Sequence, residues 1–587
     1  MAAVNVRRFA LTPALAAFLA ALLGHLPALR SFWSQDDWGL LARATGLTPE
    51  RVLPARLLSQ VLYWRALHPL FGLGPMPWVL TRLLLHGGSA ALLARIAARC
   101  GLAPVGALAA GLLFAAAPVA LAPVWSANAV QDLLALFLAL AATDRWLAAL
   151  GCAPDGRRDP TPTRAMRDLV LAGLLGALAM LAKESAFGLP VLWGALLLAR
   201  RERGATRAAA ARWAVIAALL VVAAGEAALV LRHFDRSAGA AYALGAPLDA
   251  LFNLLIYGAW TVWPWPFYPT VFPVTFYAAA LAVWLAWTAC AAWRWRRGDR
   301  LCAASLLAAL LALAPLLPLA HHTIPYLVYP ATAGFALALA SLVPRRITPR
   351  PVVTAILGLA ATAWALALFS VWLRAPGADG WPRDPLVAHT EISRRATRLL
   401  TDLPRPPADA GDGPDLILLQ VSQTPAVADQ ADRLDEHMVM TSRLHTAVGG
   451  EFGPRLMLGR KVRVRWANRL DTAPPGAFVL VEAGPRLIPW GQTGQARLYL
   501  TLTLAARSCY FQAARTLLFA ARQGGPRLAF MYDPDQLLEP PSVLTARAEA
   551  FDQYLAGPPG RGAGLSSEAR PALRATWAEL MAVVREP

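Results

Sequence analysis

The first 373 residues are a succession of apolar stretches, each close to the roughly 20 residues that an α-helix needs to cross a bilayer. They run at about 9–29, 77–97, 102–122, 129–148, 168–183, 186–200, 212–231, 275–293, 302–320, 326–343 and 351–373. Such a chain has to satisfy its backbone hydrogen bonds inside each segment, and helices do that. A polytopic α-helical membrane protein with about eleven spans is predicted. The composition agrees: 57% hydrophobic and only 16% charged residues, with mean hydropathy +0.46, is too apolar for an ordinary soluble protein.

The formal charge of +19 points to nucleic acid in a soluble chain. Here the arginines lie in alternate short loops instead, at 7–8, 95–99, 145–167, 200–212, 294–300 and 345–350. That alternation sets orientation in a membrane and puts the N-terminus in the cytoplasm. Nucleic acid is therefore excluded as a partner. Arg7-Arg8 followed by a long apolar run reads as an uncleaved first span rather than a signal peptide, because similar segments follow it. Segment 247–264, with Trp263-Pro264-Trp265-Pro266, reads as interfacial or re-entrant, since counting it as a span would invert the loop at 294–300. The first outer loop, about 30–76, carries an amphipathic run through Leu57, Val61, Trp64 and Leu67 that is expected on the membrane surface. The five cysteines have no CxxC spacing, so neither a zinc site nor a disulfide framework is indicated.

After residue 373 the character changes. Pro376-Gly377 and Pro404 to Pro407 mark a linker over 374–408, and 409–587 is mixed in charge with no spanning run. Strand-like runs at 416–421, 462–466, 478–482, 498–504 and 528–532 alternate with helical segments at 510–522 and 566–585, which predicts a soluble α+β domain. An odd number of spans places that domain outside.

Chemistry is concentrated at the outer ends of the spans. Asp36 and Asp37 follow the first span between aromatic residues, in Phe32-Trp33-Ser34-Gln35-Asp36-Asp37-Trp38. Two carboxylates beside a bilayer either cap a short helix or serve as base and supporting acid. Lys183-Glu184-Ser185 sits at the turn of a short hairpin; lysine occurs only at 183 and 461, so its use here favours a specific contact over snorkelling or self-neutralisation. Arg82 and His86 share a helix face and suit an anionic headgroup, or a structural hydrogen-bonding pair. Asn128, Gln131 and Asp132 open the fourth span, where a helix cap is the favoured reading. Glu226, inside the seventh span, has Arg232 as a candidate partner. His321, His322 and Tyr326 form the turn between the ninth and tenth spans, and the histidines are either phosphate or metal contacts or simply solvated. Topology alone puts Asp36, Asp37, Arg82, His86, Asn128, Lys183, Glu184 and His322 with Tyr326 on one side. Acids to take a proton, cations to meet a phosphate and a lipid-facing entrance suit a lipid-phosphate-sugar transferase.

The order of these elements resembles the GT-C superfamily of integral-membrane glycosyltransferases, specifically its protein O-mannosyltransferase-like and TMTC-like branches. The resemblance is carried by Asp36-Asp37-Trp38, Phe71-Gly72-Leu73 with Leu83-Leu84-Leu85-His86, Leu113-Phe114 to Pro118 with Val124-Trp125, Leu181-Ala182-Lys183-Glu184-Ser185-Ala186 with Leu189-Pro190, and Tyr326-Leu327-Val328-Tyr329-Pro330. It implies a polyprenyl-phosphate-linked sugar donor, inverting transfer on the outer face of a bacterial inner membrane, and a glycan, lipid or protein acceptor. By position Asp36 resembles the general base and Asp37 the second acid, with Lys183 or Arg82 as donor-phosphate contacts. No cofactor is called for, and a divalent cation is left open. Two features depart from the family: His321-His322 stands where relatives often carry an arginine beside the tyrosine, and the tail lacks the helical repeats of TMTC-like proteins. A transporter or flippase of lipid-linked sugars and a non-catalytic envelope assembly protein are the competing readings; the first calls for internal repeats and interrupted helices.

Overall fold

The computed structural model describes residues 2–48, 56–152, 161–200, 207–237, 244–262, 274–319, 324–343, 385–401, 415–420, 443–458, 462–467, 478–483 and 486–490, with a few isolated positions between 571 and 578. The expected span at 351–373, the segments beyond 490 expected as strands and helices, and His321-His322 lie outside them. The chain divides into two compact units. The first is Met1–Ser31 with Arg43–Leu373, and the second is Phe32–Ala42 with Arg374–Pro587.

The first unit is helical. In chain order it holds α1 (Ala2–His25); then, after α2 (Asp36–Ala44), which lies largely in the second unit, it continues with α3 (Tyr63–Phe71), α4 (Pro75–Arg99), α5 (Pro104–Ala115), α6 (Leu121–Trp125), α7 (Val130–Ala149), α8 (Pro162–Ala182), α9 (Leu189–Arg200), α10 (Arg207–Ser237), α11 (Pro247–Val262), α12 (Val274–Arg296), α13 (Leu301–Leu313) and α14 (Tyr329–Ala340). Prolines at the first turn start α4, α5, α8 and α11, where a missing N–H costs nothing. Among the described residues five helices are long and apolar enough to cross a membrane: Pro13–Arg30, Pro75–Arg99, Pro162–Ala182, Ala208–Arg232 and Val274–Arg296. The stretch expected as one span at 102–122 is instead a bent pair, α5 followed by Pro118–Trp125, turned by 49°. Pro118 lacks the N–H that a continuous helix needs there. Segment 247–262 is a helix of 16 residues, shorter than a span.

Small residues let the helices approach. A Cβ at Gly111 of α5 would lie 2.5 Å from Ala17 Cβ of α1 and 3.0 Å from the Ala90 carbonyl of α4, so the alanine-rich faces of α1, α4 and α5 touch nearly backbone to backbone, the packing that works where lipid replaces water. A second core joins α7, α8, α9 and α10, with Trp146 stacked on Trp193 at 4.5 Å. A third joins α11 to α14.

Charges mark one end of these helices. Arg99 Nε and Arg95 Nη2 donate to Asp144 at 2.6 and 3.0 Å, Arg145 pairs with Asp168 at 3.4 Å, and Arg212 donates to the Ala149 carbonyl. These are the arginines that the loop alternation assigns to the cytoplasmic side.

The second unit holds the acidic segment 32–42, α15 (Pro385–Thr401), α16 (Arg443–Ala447), α17 (Phe452–Leu458) and a four-stranded sheet. Its strands are β1 (Asp415–Gln420), β2 (Arg463–Ala467), β3 (Phe478–Ala483) and β4 (Arg486–Trp490), ordered β2-β1-β3-β4, with β1 parallel to β2 and β3 and β4 antiparallel to β3. Among the described residues this region contains both helices and strands. The stretch expected as a linker differs: it contains α15, whose Ala388, Ile392, Ala396 and Leu400 are buried against Leu444, Ala447 and Val448. Four-residue spacing makes that apolar face.

Candidate functional site

In the first unit the turn after α8 is the densest polar feature. The helix ends at Ala182, Lys183 is extended (φ −166°, ψ 148°), and a 3₁₀ turn runs Glu184–Ala186. Lys183 and Glu184 do not pair with each other. Lys183 Nζ donates to Asp132 Oδ2 of α7 at 2.6 Å, both side chains almost wholly buried. Glu184 instead accepts a fork from Arg56, Nη2 to Oε1 at 2.6 Å and Nε to Oε2 at 3.1 Å. Two parallel, part-buried hydrogen bonds make this the bidentate pair. Ser59 Oγ donates to the Ala182 carbonyl at 2.6 Å, so the segment just before α3 is stitched to the same turn. Asp132 therefore takes part in an ion pair, where a cap was the favoured reading; Gln131 Nε2 donates to Asn128 Oδ1 at 3.1 Å.

These pairs leave capacity unspent. Lys183 carries three N–H donors, and Asp132 is its hydrogen-bond acceptor among the described residues. Asp132 Oδ1 is buried and has no hydrogen-bond partner among them. A buried ammonium with donors to spare is suited to an anion.

Arg82 and His86 are both buried among the helices. Arg82 Nε donates to Val124 O at 2.9 Å, and Nη2 to Trp125 O at 3.2 Å and Ser31 Oγ at 3.4 Å, which satisfies carbonyls at the end of α6. His86 lies 3.0 Å from the Tyr329 hydroxyl through Nδ1 and 3.3 Å from Ala115 O through Nε2. His25 Nε2 reaches the same carbonyl at 3.2 Å, with the two rings edge to face at 4.8 Å. A carbonyl accepts, so both histidines donate from Nε2, and His86 Nδ1 accepts from the tyrosine. Tyr329 holds this contact, and Tyr326 lies one turn earlier, packed against the α11–α14 core. Glu226 Oε2 has no hydrogen-bond partner among the described residues, and Arg232 is exposed, so the pairing expected between them is absent there.

An apolar groove runs beside the turn. Its lining includes Ser185, Ala186, Gly188, Leu136, Leu311 and Leu147. The residues that carry both ion pairs thus lead directly into its wall.

The acidic doublet belongs to the second unit. Asp37 is wholly buried and its Oδ2 accepts from the Ser34 backbone N–H at 3.0 Å. This is the return half of a capping box, an acid reaching back three residues. Asp36, the first residue of α2, is exposed. The helix-start reading fits Asp37, and Asp36 is exposed. Among the described residues no three His, Cys, Asp or Glu side chains converge on a common point.

Sequence reasoning missed Asp132 as a partner, Arg56, Tyr329 and His25. Lysine scarcity flags Lys183, but nothing local flags residues 51 and 128 positions away.

No family model matches the chain, and no curated protein does. Solved structures similar to it include the Archaeoglobus fulgidus oligosaccharyltransferase tethered with an acceptor peptide containing the NVT sequon (TM-score 0.40, 15% identity, 70% of this chain and 61% of that one). The same archaeal enzyme, AglB, with an inhibitory peptide and a dolichol-phosphate is similar at TM-score 0.40 and 16% identity, over 70% and 62% of the two chains. ArnT from Cupriavidus metallidurans bound to undecaprenyl phosphate is similar at TM-score 0.37 and 17% identity, over 78% and 77%. This chain spans about three fifths of the archaeal enzyme's length. Likeness this loose leaves the functional reading to the residues.

Proposed function

We propose that the protein is a membrane glycosyltransferase that moves a sugar from a polyprenyl-phosphate carrier to an acceptor hydroxyl, with inversion, on the outer face of a bacterial inner membrane. One observation carries this reading. The turn Lys183–Ala186 bears the Lys183–Asp132 and Glu184–Arg56 ion pairs, and its Ser185 and Ala186 line an apolar groove, which supports a phosphate contact beside a place for a prenyl chain.

In the reaction the acceptor oxygen attacks the anomeric carbon as the bond from that carbon to the phosphate oxygen breaks. Asp36 takes the acceptor proton, and the departing phosphate keeps the electron pair. Lys183, held by Asp132, offers its remaining N–H donors to the charge that develops there. The groove takes the prenyl chain. Asp37 holds the start of α2, and Arg56 fixes Glu184 and with it the turn. Asn128, His322 and Tyr326 remain donor or acceptor contacts in this reading, while Arg82 and His86 support the walls.

A transporter reading has one observation in its favour, the bend between α5 and Pro118–Trp125. The carbonyl at that break, Ala115 O, accepts from His25 and His86, which supports a structural role for the break. Mass spectrometry of lipid-linked sugars and envelope glycans in a strain lacking the protein tests the choice. The proposal expects a polyprenyl-phosphate-sugar to accumulate while one glycan, lipid or protein modification disappears; an unchanged modification with an unchanged lipid pool would contradict it.

A further inference from the structure

The second unit grips the acidic segment. Gln35 adopts a left-handed conformation, φ 52°, just before Asp36. Its N–H donates to Thr446 O at 3.0 Å and Ala447 O at 3.3 Å, and its amide Nε2 donates to His389 Nδ1 of α15 at 2.5 Å. On the other side of the doublet, Trp38 Nε1 donates to Ser393 Oγ of α15 at 3.1 Å and to Ala447 O at 3.2 Å. The sequence Val448-Gly449-Gly450-Glu451-Phe452-Gly453 makes the bed. Gly449 has φ 63°, and a Cβ there would lie 2.7 Å from both Gln35 O and Trp38 Cβ. A Cβ at Gly453 would lie 3.1 Å from the Trp38 ring. Only glycine combines that φ with that approach.

A nine-residue helix is too short to hold itself, so where Asp36 points is decided by what fixes Gln35 and Trp38. Every one of those contacts comes from residues more than 350 positions later. We propose that α15 and the 447–453 turn are a positioning bed for the proton-accepting Asp36, with Trp38, His389, Ser393 and Gly449 as its positioning residues. Residues of α15 and the 447–453 turn would then act on the orientation of Asp36 from within the same unit. This rests on the reading of Asp36 as base.

The test uses the full chain in membranes of a strain lacking the protein, which supply both donor and acceptor. Trp38→Phe keeps the ring and drops both hydrogen bonds. Gly449→Ala pushes on Gln35 and Trp38. His389→Leu removes the acceptor, and His389→Asn restores one. A displacement of about 1 Å is worth roughly 100-fold in rate, so kcat is expected to fall about 10- to 100-fold in the first three while the donor KM stays unchanged. His389→Asn should recover most of the loss, and amide exchange at Gln35 to Gly39 should quicken wherever kcat falls. Asp36→Asn runs alongside. If Asp36→Asn is inactive while Trp38→Phe, Gly449→Ala and His389→Leu keep wild-type kcat and exchange, the bed is overturned and the base reading stands. An active Asp36→Asn overturns both. Loss of folded protein in Gly449→Ala leaves Trp38→Phe and the His389 pair to decide.

Discussion

At the residue scale the account turns on Lys183 and its partner. Removing one member of a buried pair leaves an uncompensated charge and costs about 3–5 kcal/mol. Lys183→Met should therefore sharply lower the amount of folded protein, read by size-exclusion profile in detergent. The double variant Lys183→Met with Asp132→Leu should recover folded protein but not sugar transfer, because the anion contact is still missing. Recovery of transfer as well would make the pair purely structural. Asp37 differs from Asp36 in the same terms: Asp37→Ala forfeits a cap worth about 0.5–2 kcal/mol, visible as a lower melting temperature. The doublet, Lys183 and Glu184 were legible because each is a polar exception in an apolar setting. Their partners were not, since Asp132 resembles an ordinary first-turn acid and Arg56 one arginine among many.

Among elements, the spans were legible where apolar runs ended in arginine or began in proline. The break inside 102–122 was not, because hydropathy is continuous across it and only Pro118 and a carbonyl shared by two distant histidines reveal it. Helix α15 was masked by the prolines on either side, although Ala388, Ile392, Ala396 and Leu400 stand at helical spacing. Close packing of α1, α4 and α5 gives a sharp expectation. Gly111→Val puts its new carbons where Ala17 and the Ala90 carbonyl already are, and overpacking of this kind costs about 1–3 kcal/mol. Tryptophan fluorescence during heating should show a lower transition than wild type; an unchanged transition would mean that the helices separate without cost.

Across the whole molecule, the arginine alternation predicts one orientation. Reporter fusions in the loops near 153–160 and 201–206 should score as cytoplasmic, and a fusion after 587 as external. The membership of 32–42 in the second unit was not readable from the sequence, because no local pattern marks contacts made across most of the chain. The most direct test of the central claim is transfer by purified full-length protein in proteoliposomes, supplied with the polyprenyl-phosphate-sugar fraction and membranes of a strain lacking the protein. The account predicts a covalent glycosylated product with release of free polyprenyl phosphate, lost in Asp36→Asn at equal folded protein. Wild-type transfer by Asp36→Asn, or movement of the lipid-linked sugar across the bilayer with no covalent product, would contradict it.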